Sequence, residues 1–166
     1  MPEKQTIRRA QRDKQQGKSS STQAGEFVRE EIHHIREGKH GARSTKQAIA
    51  IGLSKARRSG VDLPPPEKGT VSEKTRRSAK RAYEAGQRGK QRLSRRRSDA
   101  TERALKRESG SAASKQALSK QTRSAARKRT RAARSNAARK AALTKGSRGR
   151  SAAGRKAART RARRHS

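Results

Sequence analysis

The fold is decided by the stretch Glu26-Phe-Val-Arg-Glu-Glu-Ile-His-His-Ile-Arg-Glu-Gly38, which predicts one helix and its end. Val28, Ile32 and Ile35 recur at i, i+4 and i+7, which is the spacing of an apolar stripe on one face of a helix. This stripe predicts a helix over about residues 22 to 37. Gly38 follows where a glycine commonly ends a helix.

A second helix is indicated by Ser44-Thr-Lys-Gln47, a capping box in which the serine and glutamine side chains satisfy free backbone N–H groups. Its apolar face runs through Ile49, Leu53 and Ala56, and Gly60 marks its end. The connection over residues 38 to 43 is short, so we expect the two helices to form an antiparallel hairpin. Val61 and Leu63 are expected to fold back over its open end.

Ile51 lies outside this apolar face. At 100° per residue it is about 160° around the helix from Leu53, on a side that a two-helix hairpin leaves in water. It is either a single exposed isoleucine or part of a surface for self-association. Self-association is favoured by size, because folds below about 40 residues usually need oligomerisation, a metal or a disulfide. We therefore expect a homodimer through the hairpin of residues 22–66.

Outside the hairpin the chain is poor in apolar residues. Leu, Ile, Val and Phe together supply 15 of the 166 residues. Such a chain with high net charge cannot bury enough apolar surface to offset its conformational entropy. The sequence therefore predicts an all-α protein with a small helical hairpin and a long basic arm that is largely disordered or conditionally helical. We expect a disordered basic N-terminus (1–21), the hairpin (22–66), a basic segment with short helices (67–108) and a tail rich in Ala, Lys and Arg (109–166).

The charge of the chain points to a polyanionic partner. The chain has 48 Lys and Arg, 13 Asp and Glu and a formal net charge of +35, and no acidic residue follows Glu108. A charge run of this kind is either a solubilising surface or a ligand for phosphates, and the lack of any counter-charge favours phosphates. Base reading is disfavoured because Phe27 and Tyr83 are the chain's only aromatic residues.

The predicted nucleic-acid-binding residues are the basic side chains of the glycine connection, the second helix, an arginine triplet and the tail. They are Lys39, His40, Arg43, Lys46, Arg57, Arg58, Arg95, Arg96, Arg97, Arg127, Lys128, Arg129, Arg131, Arg134, Arg139, Lys140, Arg155, Lys156, Arg159, Arg161, Arg163 and Arg164.

The connection Gly38-Lys39-His40-Gly41 has two interpretations, a phosphate clamp or an ordinary helix end. A G-x-x-G loop between two helices is the arrangement with which KH domains clamp a nucleic-acid backbone, and the N-terminus of the following helix offers N–H groups to a phosphate. The alternative is an ordinary helix-ending glycine followed by a turn glycine. The sequence shows no strands for the sheet of a KH domain.

Other kinds of site are not predicted. The chain has no cysteine, and none of its four histidines stands with a nucleophile and a carboxylate in a segment able to form a pocket. A zinc site from His33 or His34 with His40 and Glu30 or Glu37 is conceivable, but solvated histidines are the preferred interpretation. We expect no enzyme, no cofactor and no metal.

No apolar run could span a membrane and the first residues form no secretion signal, so we expect a soluble, cytoplasmic, nucleoid-associated protein.

Two resemblances accompany these patterns. Residues 22 to 63 resemble a family of small basic bacterial proteins of unknown function, whose hallmark K-Q-A-I-A-I-G-L-S-x-A-R is present as Lys46 to Arg57. The family implies no activity. The tail from Ser109 resembles the Ala/Lys/Arg tails of linker histones and bacterial histone-like proteins, a likeness of composition that implies charge chemistry.

The sequence therefore predicts a protein that binds DNA, or else RNA, without marked sequence preference, as a nucleoid-associated or histone-like protein does. One alternative is a ribosome-associated or RNA-structural protein whose arm enters folded RNA. Another is a protein-interaction module of unknown function that uses the arm as a basic anchor.

Overall fold

The protein is all-α. A computed structural model describes residues 2–89 and 94–165, without the side chains of residues 144, 145, 164 and 165. Its helices are α1 (Lys4–Gln15), α2 (Ser20–Arg36), α3 (Thr45–Arg58), α4 (Glu73–Gln87), α5 (Arg95–Lys106), α6 (Lys115–Arg127) and α7 (Arg131–His165), with a 3-10 turn at Gly110–Ala113 between α5 and α6. The chain divides into two compact units, Met1–Gln121 and Thr122–Ser166.

The predicted hairpin is confirmed as α2 and α3. Ser44 caps α3 by accepting a hydrogen bond from the backbone N–H of Gln47 at 3.2 Å, while the Gln47 side chain accepts one from the backbone N–H of Arg43 at 2.8 Å. Gly38 and Gly60 follow the two helices with φ of +73° and +83°, a conformation that suits glycine at helix ends.

Two apolar clusters hold the hairpin together, one at each end. Ala24 and Phe27 in the first half of α2 pack with Ala56 at the end of α3 and with Val61, which folds back as predicted. Ile32 and Ile35 pack with Ala48 near the start of α3. The two helices are therefore antiparallel. They cross closely at Gly52, where a β-carbon would lie 2.6 Å from the Cα of Val28.

The N-terminus is helical rather than disordered, contrary to the prediction for residues 1–21. Helix α1 packs on α2 and buries Ala10 against the Phe27 cluster. Arg9 donates a hydrogen bond from Nε to Glu26 Oε2 at 2.7 Å, which joins α1 to α2. The sequence signal was weak because α1 contributes only Ile7 and Ala10 to the apolar core, and its buried Thr6 and Asp13 are polar.

Two segments that follow the hairpin in the sequence, α4 and the 3-10 turn, also pack against it. Helix α4, one of the short helices expected in residues 67–108, packs against α3 and buries Ala79 and Ala82. The 3-10 turn buries Ala112 and Ala113 in the cluster of Ile32 and Ile35. Ile51 is half-buried rather than fully exposed, which weakens the argument for its role in self-association.

The tail, predicted to be largely disordered or conditionally helical, is helical in most of its described part, and the described residues show no large disordered arm. The physical reason is its composition, because Ala, Lys and Arg have high intrinsic helix propensities. The compact first unit also extends to Gln121, so the segment from residue 109 to 121 belongs to the core rather than to the arm. Helix α7 has a kink at Gly146, where φ is +66° and ψ is 176°.

Candidate functional site

Helix α7 is basic along its length and has no apolar face. All of the predicted binding residues between Arg131 and Arg163 are exposed. Between residues 131 and 164 there are 13 Lys and Arg, so at a rise of about 1.5 Å per residue the helix carries about one positive charge per 4 Å. The side chain of Arg164 lies outside the described residues.

Other segments of the chain also carry exposed cations. Arg127, Lys128 and Arg129 lie at the end of α6 and in the link to α7, and all three are exposed. Arg95, Arg96 and Arg97 form the exposed first turn of α5. Duplex DNA carries about one negative charge per 1.7 Å, which is denser than the positive charge of α7, so a duplex supplies enough phosphates for these groups.

Three of the backbone N–H groups of the glycine connection, which a phosphate clamp would use, are already hydrogen-bonded within the protein. The backbone N–H groups of Gly38 and Lys39 donate to the carbonyls of Ile35 and His34, and that of Gly41 donates to the carbonyl of Leu105 at 2.9 Å. The carbonyl of Glu108 occupies the space that a β-carbon on Gly41 would need. The connection is therefore covered by the end of α5, and the alternative to the clamp, a helix-ending glycine followed by a turn glycine, describes it.

The two basic side chains of this connection are also engaged. Lys39 Nζ lies 3.0 Å from Glu37 Oε2 and 3.7 Å from Glu3 Oε1. The hydrogen bond to Glu37 raises the pKa of Lys39 above its ordinary value, and the same contact lowers the pKa of Glu37. His40 Nε2 lies 3.2 Å from Glu31 Oε1. Both predicted phosphate ligands thus contact glutamates.

The predicted binding residues of the α3 region separate into two groups. Arg43, Lys46 and Arg58 are exposed and available to an anion. Arg57 is 7% exposed, and it donates from Nε to the carbonyl of Leu63 at 3.0 Å and from Nη2 to that of Pro64 at 3.3 Å. Arg57 is therefore an internal anchor of the proline segment, and its burial disfavours the predicted role as a nucleic-acid ligand.

A cluster of three side chains was not predicted in this form. Glu31 and His34 of α2 and His40 of the connection bring one potential ligand atom each within 4.8 Å of one another. His34 and His40 are both 13% exposed, so they are not the solvated histidines that the sequence suggested, whereas His33 is 59% exposed. The sequence signal was Glu31-x-x-His34, because residues three apart on a helix share a face. The position of His40 depends on the loop and carries no local signal.

Glu3 extends this cluster. His34 donates from Nε2 to Glu3 Oε1 at 2.9 Å, and this hydrogen bond lowers the pKa of Glu3 from its ordinary value. The backbone N–H of Glu3 donates in turn to the carboxylate of Glu30 at 3.3 Å. The start of α1 is thereby fixed beside the same face of α2.

No described helix combines the length and the apolar character needed to cross a bilayer. No curated protein and no solved structure matches the chain. Residues 4–68, which form α1, α2, α3 and the segment that follows them, match the model of a family of unknown function (DUF6496).

Proposed function

We propose that the protein binds nucleic acid, with DNA as the first candidate, through phosphate contacts that depend little on sequence, as a nucleoid-associated or histone-like protein does. The observation that supports this proposal is the exposed basic surface of α7 within a 58-residue stretch that contains no acidic residue. No side chain within this stretch supplies a counter-charge, so an anion from outside it must do so.

Within the described residues, α7 is supported by the helix propensity of its composition and not by packing, so a polyanionic partner would add to its stability. The described side chains of Arg131–Arg163 include no buried residue, so tertiary packing does not stabilise α7. Like charges four residues apart, such as Arg155, Arg159 and Arg163, oppose the helix in water. Phosphates along a nucleic acid reduce that repulsion, so binding and helix stability should be linked.

Contacts to the phosphate backbone are favoured over base reading. Arg and Lys supply the exposed groups of the tail, and both are good phosphate ligands. The chain's two aromatic side chains lie in the first unit, where Phe27 is buried and Tyr83 donates a hydrogen bond to Asp62 Oδ1 at 2.8 Å. We therefore expect weak discrimination between sequences.

The experiment is a binding titration with the full chain and two matched variants. In the first, the arginines at 131, 134, 139, 155, 159 and 163 are replaced by glutamine, and in the second by lysine. The glutamine variant should lose duplex DNA affinity by a factor of at least ten, whereas the lysine variant should keep most of it because its charge is unchanged. Equal affinity for all three proteins would refute the proposal. Competition between duplex DNA and folded RNA of equal length distinguishes the two nucleic acids.

A further inference from the structure

Two histidines and a buried glutamate meet where α2 ends and the glycine connection begins. Glu31 and His34 lie one turn apart on α2, and His40 comes back to them after the helix has ended at Gly38. Their potential ligand atoms lie within 4.8 Å of one another. A carboxylate and an imidazole three residues apart on one helix form a pair that helical metalloproteins use to hold a metal ion.

The hydrogen bonding of His40 determines which of its nitrogens is free. Nδ1 lies 3.0 Å from the carbonyl oxygen of Gly41. Because a carbonyl can only accept, Nδ1 must carry the hydrogen and donate it. In the neutral ring Nε2 then bears a lone pair, and it faces Glu31 Oε1 at 3.2 Å. Two electron-rich atoms at this distance need either a proton or a cation between them.

The buried carboxylate of Glu31 also needs a group that compensates its negative charge. Its side chain is 0% exposed, and neither carboxylate oxygen accepts a hydrogen bond of good geometry from the residues that the structure describes. Lys55 Nζ lies 2.6 Å from Oε2 as an ion pair, which leaves Oε1 directed at His40. A buried carboxylate is costly unless its charge is compensated on all sides.

We propose that Glu31, His34 and His40 bind a divalent transition-metal ion of the zinc type. Zinc holds nitrogen and oxygen ligands at about 2.0 to 2.2 Å, so two ligands of a tetrahedral site stand about 3.3 Å apart. The separation of His40 Nε2 and Glu31 Oε1 matches this value. Imidazole nitrogen favours zinc over calcium or magnesium, which prefer oxygen ligands throughout.

The surroundings of the three ligands also suit a metal. Ligating histidines usually donate their other ring N–H to a carbonyl or carboxylate, and His40 does so to the carbonyl of Gly41. Glu3 lies beside His34 as an additional carboxylate. An open pocket lined by Glu3, His33, His34, Glu37 and Lys39 among others reaches His34, one of the three proposed ligands.

The bound ion would stabilise the first unit. It joins the last turns of α2 to the connection that leads into α3, and it compensates the charge of Glu31. This role is independent of nucleic-acid binding by α7. The competing arrangement is a metal-free one in which His40 is protonated and pairs with Glu31.

The experiment uses the full chain, freed of metal by a chelator and titrated with Zn²⁺ at pH 7 against a chromophoric zinc chelator. We expect one Zn²⁺ per chain, with little competition from Mg²⁺. His40→Ala and His34→Ala should each lower the affinity for Zn²⁺ at least tenfold. His33→Ala is the matched control, because this exposed neighbour lies outside the cluster, and it should bind Zn²⁺ like the unmodified protein.

A readout at the metal and a check of folding complete the test. Co²⁺ in place of Zn²⁺ should give the visible absorption bands of a tetrahedral site in the unmodified protein and in His33→Ala, but not in His40→Ala. Circular dichroism shows whether His40→Ala is folded, and His40→Gln is used if it is not. Absence of stoichiometric Zn²⁺ binding, or equal losses from His33→Ala and His40→Ala, would overturn the proposal in favour of the metal-free ion pair.

Discussion

The hydroxyl of Thr45 donates a buried hydrogen bond to the carbonyl of Ala112 at 2.7 Å, across 67 residues of sequence. This bond attaches the first turn of α3 to the 3-10 turn that precedes α6. Arg36 acts nearby, since its Nε donates to the carbonyl of Ala113 at 2.9 Å. The segment around residue 112, although it lies at the start of the alanine-rich tail, is therefore part of the first unit.

Removal of this hydroxyl should destabilise the first unit. Thr45→Val keeps the shape of the side chain but leaves the Ala112 carbonyl without its donor, which costs about 1 to 3 kcal/mol. Thr101→Val is the control, because Thr101 donates a similar bond to the Arg97 carbonyl on an exposed helix. Urea denaturation followed by circular dichroism measures both. Equal effects of the two substitutions would contradict the assignment of Ala112 to the core.

The crossing of α2 and α3 at Gly52 should tolerate no side chain. A β-carbon there meets the backbone of Val28, so Gly52→Ala must separate the two helices and should lower the free energy of unfolding by about 1 to 3 kcal/mol. Gly25→Ala on α2 provides the opposite case, because no atom lies within 4 Å of its β-carbon. This change should stabilise the helix by up to about 1 kcal/mol. Thermal denaturation of the two variants should therefore shift in opposite directions.

Substitutions of the neighbouring residues Arg57 and Arg58 should differ in their effect on the free energy of unfolding. Arg57→Gln removes the buried donors to Leu63 and Pro64 and should cost about 1.5 to 3 kcal/mol of stability. Arg58→Gln, at the exposed neighbouring position, should leave stability within about 0.5 kcal/mol. Each variant is measured by urea denaturation and by DNA titration at the same salt concentration. A selective loss of DNA affinity in Arg57→Gln, with stability unchanged, would restore it as a phosphate ligand.

Helix α7 should gain stability from DNA. Its like charges oppose the helix, and phosphates neutralise them, so duplex DNA should raise the temperature at which the helical circular dichroism of the tail is lost. The difference spectrum between the full chain and a chain ending at Gln121 isolates this signal. Poly-glutamate of equal charge serves as the control for a general polyanion effect. An unchanged melting profile with saturating DNA would contradict a link between binding and helix stability.

The sequence revealed those parts of the fold that depend on local patterns. The stripe of Val28, Ile32 and Ile35 and the cap at Ser44 predicted α2 and α3 correctly, because helix periodicity and capping act within a few residues. Ala112 gave no such signal, since an alanine in an alanine-rich segment becomes a core residue only through distant partners.

The candidate sites follow the same division. Exposure of the arginines on α7 was predictable from the absence of apolar residues with which they could be buried. The burial of Arg57 and the meeting of His40 with Glu31 depend on where a loop returns, which no spacing rule supplies. The predicted homodimer stays a prediction, although coverage of the hairpin by α1 and α4 weakens its argument from core size.

The salt dependence of DNA binding is the most direct test of whether the basic tail binds DNA through phosphate contacts. If about ten basic groups contact phosphates, the logarithm of the affinity should fall against the logarithm of the salt concentration with a slope near −9 on duplex DNA and near −7 on single strands. The comparison is a chain ending at Gln121, which loses 17 of the 48 Lys and Arg but keeps the buried Ala112 and Ala113. If the tail makes the phosphate contacts, this truncation should remove most of the slope and most of the affinity. A truncated chain with the slope and affinity of the full-length protein would show that the tail is only a solubilising surface.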